Sequence, residues 1–135
     1  MKVYLASALK NNNLNSEINK LLERSGWDVF LPQRDNDQNA KPHVVAKQNT
    51  EEIVHADVVI VVGRGLGRDT SWEIGFAQGS GKATIILVES SSDFEEDIMI
   101  KHGFPHHAVI EYNASEVGNV IVDVQRALEQ LAVRP

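Results

Sequence analysis

The chain has 135 residues, 42% hydrophobic and 24% charged, with 13 Lys and Arg against 19 Asp and Glu and a formal charge of -6. This is ordinary globular usage at one domain's length, which excludes a disordered, collagen-like or coiled-coil chain and a uniformly basic nucleic-acid clamp. Without cysteine there is no disulfide framework, zinc–thiolate or iron–sulfur site, and no thiol nucleophile. In chain order, Lys2 to Ala6 is a short apolar run that predicts a buried strand. Asn11-Asn12-Asn13 favour a turn or a helix cap, and Leu14, Ile18, Leu21 and Leu22 follow at helical spacing, closed by Gly26. Trp27 to Leu31 predicts a second strand, stopped by Pro32, and residues 33–41 a polar loop. Pro42 suits a helix start, and Val44, Val45, Gln48, Ile53 and Val54 support a helix up to His55. Val58 to Val62 is five consecutive β-branched residues, the pattern of a central parallel strand covered on both faces.

A glycine-rich loop, Gly63, Gly65 and Gly67, leads into a helix predicted over Thr70 to Gln78 and ended by Gly79 and Gly81. Ala83 to Val88 is a fourth strand, 89–93 a serine-rich loop, and Asp93 to Lys101 a short helix. Ala108 to Glu111 is a fifth strand. Ser115 to Leu131 is a last helix with Val117, Val120, Ile121, Val124, Leu128 and Leu131 on one side. Strands alternating with helices predict an α/β fold: a single domain over 1–135, a five-stranded parallel sheet of flavodoxin/Rossmann-like kind with helices on both faces. Ligands bind such sheets beyond the strands' carboxyl ends, which singles out the loops after Leu5, Val62 and Val88. No targeting signal or membrane span is expected, and a cytoplasmic location is.

Gly63 to Ala77 (GRGLGRDTSWEIGFA) carries the strongest chemical signal, because a loop there lets backbone N–H groups and a helix N-terminus approach a polar ligand. It is not the dinucleotide fingerprint: its third glycine is one residue early and it follows the third strand. Glu73 has two readings. It can close a capping box with Thr70, or it can be a carboxylate held at a pocket floor. Asp57 is expected to cap the turn between helix and strand, away from any site. The histidines offer no metal-ligand spacing: His106 and His107 are adjacent, and on a strand would point to opposite faces, while His43, His55 and His102 are scattered. No metal and no organic cofactor are expected. Trp72, with Trp27 and Phe76, could stack on a base, but on the helix it points away from Glu73, which suits a core or subunit-interface role better.

Tyr4 in VYLAS, the Ala56-Asp57-Val58-Val59 strand, and Trp72-Glu73-Ile74-Gly75-Phe76-Ala77 followed by Gly81-Lys82 and a strand resemble the nucleoside 2-deoxyribosyltransferase family, which includes nucleoside 5'-monophosphate N-glycosidases. The resemblance covers nearly the whole chain. It implies that Glu73 is a nucleophile attacking the anomeric carbon of a nucleoside, expelling the base and forming a glycosyl ester that a second base or water resolves with net retention. It implies that Tyr4 donates its hydroxyl to that carboxylate, where the residue alone would suggest strand packing. Two positions depart from the family: Asn49 stands where many members carry an acid near the leaving base, and Gly67 where they carry Asp or Ser. Asp69 is then either a sugar-hydroxyl ligand or a helix cap. Asp97 to Ile100 resembles a stretch that reaches into a neighbouring subunit's pocket, so Asp97 and Met99 join Ser7, Lys10, Asn49, Gly67 and Asp69 as substrate-binding candidates, and a homodimer or larger homo-oligomer is expected. Asp97 disfavours a 5'-phosphate, whereas Lys10 or Arg34 could pair with one. The expected partner is thus a small-molecule nucleoside or nucleotide, not nucleic acid or membrane. The readings that stand are base transfer from a 2-deoxynucleoside, hydrolysis of a nucleoside 5'-monophosphate, and a non-catalytic nucleotide-binding module.

Overall fold

A computed structural model describes the chain except residues 9, 10, 38, 64, 65, 90–97, 104, 114–116 and 133–135, and the side chains of Asn12 and Val117. The elements in order are β1 (Lys2–Ala6), α1 (Asn12–Arg24), β2 (Asp28–Phe30), α2 (Pro32–Asp35), α3 (Pro42–His55), β3 (Val58–Val62), α4 (Arg68–Gly79), β4 (Ala83–Glu89), α5 (Ile98–His102), β5 (Ala108–Tyr112) and α6 (Val117–Ala132). All strand pairs are parallel and run in the order β2-β1-β3-β4-β5. This is the five-stranded α/β sheet that the strand–helix alternation predicts. The chain reverses its winding between β1 and β3, the place where open sheets of this kind hold ligands.

Alternation along each strand sends side chains to two cores. Val3, Leu5, Val58, Ile60, Val62, Ile85 and Leu87 pack with α1 and with the Val120, Ile121, Val124 and Leu128 stripe of α6. Tyr4, Ala6, Val59, Val61 and Ile86 pack on the other face under Ile53 of α3, Ala56 just after it, and Ile74 and Ala77 of α4. The strands read as unbroken apolar runs because both faces are covered.

Three local outcomes differ from expectation, and a fourth is described only in part. Pro32–Asp35 is a helical turn, where the polar composition predicts loop; Pro32 starts it, and Asp35 Oδ2 accepts the Leu31 N–H at 2.8 Å. α4 begins at Arg68 with Gly67 as its N-cap, so Thr70 lies inside the first turn and no capping box forms. α3 buries Ile53 and turns Val45, Ala46 and Asn49 to a cavity, while Val44 and Val54 lie off that lining and stay 46% exposed. The expected helix over Asp93 to Lys101 is described only as Ile98–His102, its first part lying outside the described residues. Asp57 sits at the amino end of β3, as expected; its Oδ2 accepts the Lys2 N–H at 2.7 Å and ties the start of β1 in place.

Candidate active site

A cavity of about 680 Å³ opens at the carboxyl end of β1. The turn after β1 contributes Ser7; α2 and the chain after it contribute Gln33, Asn36 and Asp37. The inner face of α3 contributes Val45, Ala46, Asn49 and Ile53, and the first turns of α4 contribute Asp69, Trp72 and Glu73. A smaller hollow of about 230 Å³ lies towards the amino ends of β1 and β2, bordered by Lys2, Arg34, Asp35 and Glu52. The larger one lies where the topology predicts a site, and it alone contains Glu73.

Glu73 reaches the floor because it lies one helical turn beyond Asp69, on the face of α4 that looks toward α3 and β1. Tyr4, fully buried on β1 and stacked on Phe30 with ring centroids 5.6 Å apart, donates its hydroxyl to Glu73 Oε2. Burial raises the Glu73 pKa above its ordinary value; the Tyr4 hydrogen bond opposes this and the Asp69 charge adds to it. The Tyr4 phenol is driven far above its ordinary value, first by burial and then by the Glu73 charge and the bond it makes to it, so it remains a donor throughout the physiological range. The pair is a half-buried carboxylate steadied by one donor, with a second carboxylate a turn away. Such a group is poised to meet positive charge developing above it.

The other candidates divide. Ser7 Oγ accepts from Asn11 Nδ2 at 3.2 Å, and the Ser7 carbonyl accepts from Gln33 Nε2 at 3.2 Å. Asn49 Oδ1 accepts from Asn36 Nδ2 at 2.8 Å, so the amide oxygen at this position holds the chain after α2. Asp69 is exposed inside the first turn of α4, lines the cavity and is not the cap. Gly67 and Met99 lie off the cavity lining, Gly67 as the N-cap of α4 and Met99 on α5 with 75% exposure. Lys10 and Asp97 lie outside the described residues.

Arg34 does not face this cavity. Its guanidinium pairs with Glu23 and Asp35 and donates to the Val29 carbonyl at 2.7 Å, an arrangement that raises its pKa chiefly through the Asp35 bond. The guanidinium is thus held by two carboxylates at the smaller hollow, away from Glu73. Trp72 is not core: it is 57% exposed, lines the cavity and stacks on Phe76 with centroids 5.1 Å apart. His106 and His107 precede β5 and diverge. His106 bonds Thr84 Oγ1 and the Ile100 carbonyl, each at 2.7 Å, and His107 bonds the Ala127 carbonyl of α6 at 2.9 Å. Among the described residues no group of three metal-ligating side chains converges, and no helix is long and apolar enough to cross a membrane.

Sequence reasoning missed Gln33, Asn36 and Asp37. Their only signal was a turn-rich composition, which marks a loop without saying what it borders.

The profile of the family described as nucleoside 2-deoxyribosyltransferase matches residues 3–127. No curated protein sequence matches the chain. Among solved structures, a CMP N-glycosidase of Clostridium botulinum is similar with a TM-score of 0.70 and 25% identity, over 93% of this chain and 98% of that one. A 2-deoxyribosyltransferase from Bacillus psychrosaccharolyticus has a TM-score of 0.69 and 21% identity over 90% of each chain. One from Leishmania mexicana has a TM-score of 0.63 and 13% identity, over 90% of this chain and 97% of that one. The latter two likenesses establish the fold alone.

Proposed function

Because the chain belongs to the nucleoside 2-deoxyribosyltransferase family, whose members include enzymes that act on N-glycosidic bonds, we propose that it transfers the sugar of a 2-deoxynucleoside between bases through an ester on Glu73. A Glu73 carboxylate oxygen attacks the anomeric carbon. The bond to the base nitrogen breaks, and the base leaves with the electron pair and takes up one proton. An acceptor base then displaces the glutamate from the same carbon and loses a proton, so that two inversions give retention. The observation that carries this reading is the Tyr4–Glu73 bond on the floor of the cavity. The phenol fixes the angle of the carboxylate and partly offsets the burial that would neutralise it.

Ser7, Asn49 and Asp69 are the substrate ligands proposed from this wall. With its carbonyl oxygen accepting from Asn36, Asn49 has its N–H groups to offer a base. These can hold the leaving base but cannot protonate it. The apolar α3 residues Val45 and Ala46, together with the Trp72 indole, give a planar base surfaces to lie against.

The second reading is hydrolysis of a nucleoside 5'-monophosphate, with water resolving the ester. It is favoured by the likeness to the CMP N-glycosidase. Against it, the charged side chains among the described lining residues are Asp37, Asp69 and Glu73, all acidic. Incubation with a 2-fluoro-2-deoxynucleoside followed by mass spectrometry tests the chemistry: a persistent adduct on Glu73 is expected, and Glu73→Ala should abolish both adduct and turnover. Tight binding without an adduct would leave a binding module. A panel of nucleosides and 5'-monophosphates, with and without free adenine, then separates transfer from hydrolysis.

A further inference from the structure

Asn11 immediately precedes α1, where asparagine is among the best residues for accepting an N–H of the first helical turn. It makes no such bond. Its side chain, 5% exposed, turns back and donates from Nδ2 to Ser7 Oγ at 3.2 Å. The Asn11 backbone N–H goes to the Ala8 carbonyl at 3.0 Å, and Asn15, buried one turn further along α1, donates to that carbonyl at 3.3 Å. With Gln33 on the Ser7 carbonyl, three amide side chains pin the Ser7-Ala8 turn.

The direction of the Asn11 bond has a chemical consequence. A serine hydroxyl carries one proton and two lone pairs, and an amide NH₂ offers only protons. Asn11 therefore occupies a lone pair of Ser7, and the serine proton points elsewhere. Among the described residues no acceptor takes it, and Ser7 lines the cavity that holds Glu73. We infer that Asn11 is a positioning residue. It holds the Ser7 hydroxyl as a donor to an acceptor oxygen on the sugar portion of the substrate, either a hydroxyl or a phosphoryl oxygen. This rests on the reading of the cavity as a nucleoside or nucleotide site. The sugar is assigned because Tyr4, three residues back on the strand that leads into this turn, holds the carboxylate that would meet the anomeric carbon. The apolar α3 wall is left to the base.

Asn11→Asp tests the polarity. A carboxylate accepts the serine proton, so the hydrogen bond survives with its direction reversed and the substrate loses its donor. Calorimetric titration with a 2-deoxynucleoside and with its 5'-monophosphate is expected to show about tenfold weaker binding, the scale of one hydrogen bond. Ser7→Ala should match it, and the double variant should be no worse than either. In turnover, KM should rise more than kcat falls. Because a buried carboxylate can disturb the turn, Asn11→Ala is measured beside it with a thermal melt. It should weaken binding by a smaller factor and keep a cooperative melt, lowered by no more than a few degrees for the lost hydrogen bond. A larger loss with the monophosphate assigns a phosphoryl oxygen; an equal loss assigns a sugar hydroxyl. Unchanged binding in both Asn11 variants, or losses that add to that of Ser7→Ala, would overturn the inference. Normal binding by Asn11→Asp in a protein that forms the Glu73 adduct sinks this inference alone. Wild-type binding without an adduct sinks the proposed chemistry and leaves it standing, and a wild-type chain that binds neither ligand overturns both.

Discussion

The role proposed for Glu73 requires a carboxylate, and its surroundings act in opposite directions on that state. Burial raises its pKa, the Tyr4 bond lowers it and Asp69 raises it again. Turnover should therefore rise with pH along an acid limb whose midpoint lies above the ordinary value of 4.5. Asp69→Asn should move that midpoint down, and Tyr4→Phe should move it up while lowering kcat roughly ten- to a thousandfold, the scale of one lost orienting donor. A pH–rate profile of the three proteins checks all three signs. The same shift has a cost in stability. A carboxyl group whose folded pKa is raised favours folding below its unfolded pKa, and that advantage disappears as pH rises through the folded value. Glu73→Gln removes the titration and keeps an acceptor for Tyr4. Its melting temperature should therefore exceed the wild type's by a few degrees at pH 7, with the gap closing by pH 4. A gap independent of pH would contradict the burial argument. Glu73 and Tyr4 were legible because aromatic and acidic residues stood at family spacing within otherwise apolar elements. Asn11 and Asn15 were not, since asparagine near a helix start reads as cap or surface, and only the folded chain brings both amides onto the turn after β1.

At the scale of elements, glycines that look alike in sequence do different work. A Cβ on Gly63 would lie 2.7 Å from the Leu87 carbonyl oxygen, the same oxygen that accepts the Gly63 N–H. Gly63 thus lets the end of β3 press against β4 where the site loop begins. Gly67 has extended backbone and nothing within 4 Å of a built Cβ. Gly63→Ala should destabilise by roughly 1–3 kcal/mol, through overpacking against backbone. Gly67→Ser should stabilise by about 0.5–1 kcal/mol, since it adds an N-cap oxygen to α4 and restricts the unfolded chain. Denaturant melts compare the two, and equal effects would refute the distinction. The glycine pattern was legible, but its causes were not, because one depends on a strand brought alongside by the fold. α3 shows the same limit. Its apolar spacing predicted the helix but not that Val45 and Ala46 border open space. Periodicity marks the side that faces inward without saying whether packed side chains or a ligand cavity waits there.

Across the whole molecule, the unbroken Val58–Val62 run and the strand–helix alternation made a five-stranded parallel sheet readable in advance, though not its strand order. What the chain presents outward on one side was readable only in part, since the sequence left Trp72 between core and subunit interface. Trp72 on α4 and Ile98 and Met99 on α5 are 57%, 66% and 75% exposed, on two helices that pack together beside the cavity. Apolar side chains so exposed on adjoining elements suit burial against another chain. The family resemblance gives the stretch ending at Ile100 a place in a neighbouring subunit's pocket, so we propose a homodimer at least, with Met99 in its contact. Light scattering should then give a mass of two chains or more. Met99→Glu, which introduces a charge where apolar surface would be buried, should yield folded monomer with turnover reduced tenfold or more. Because Met99 lies off the lining of its own cavity, a loss of activity tracking the loss of mass would point to a partner's contribution to the site. A wild-type monomer with full activity would remove the proposal and leave Tyr4, Glu73 and the α3 wall to act within one chain.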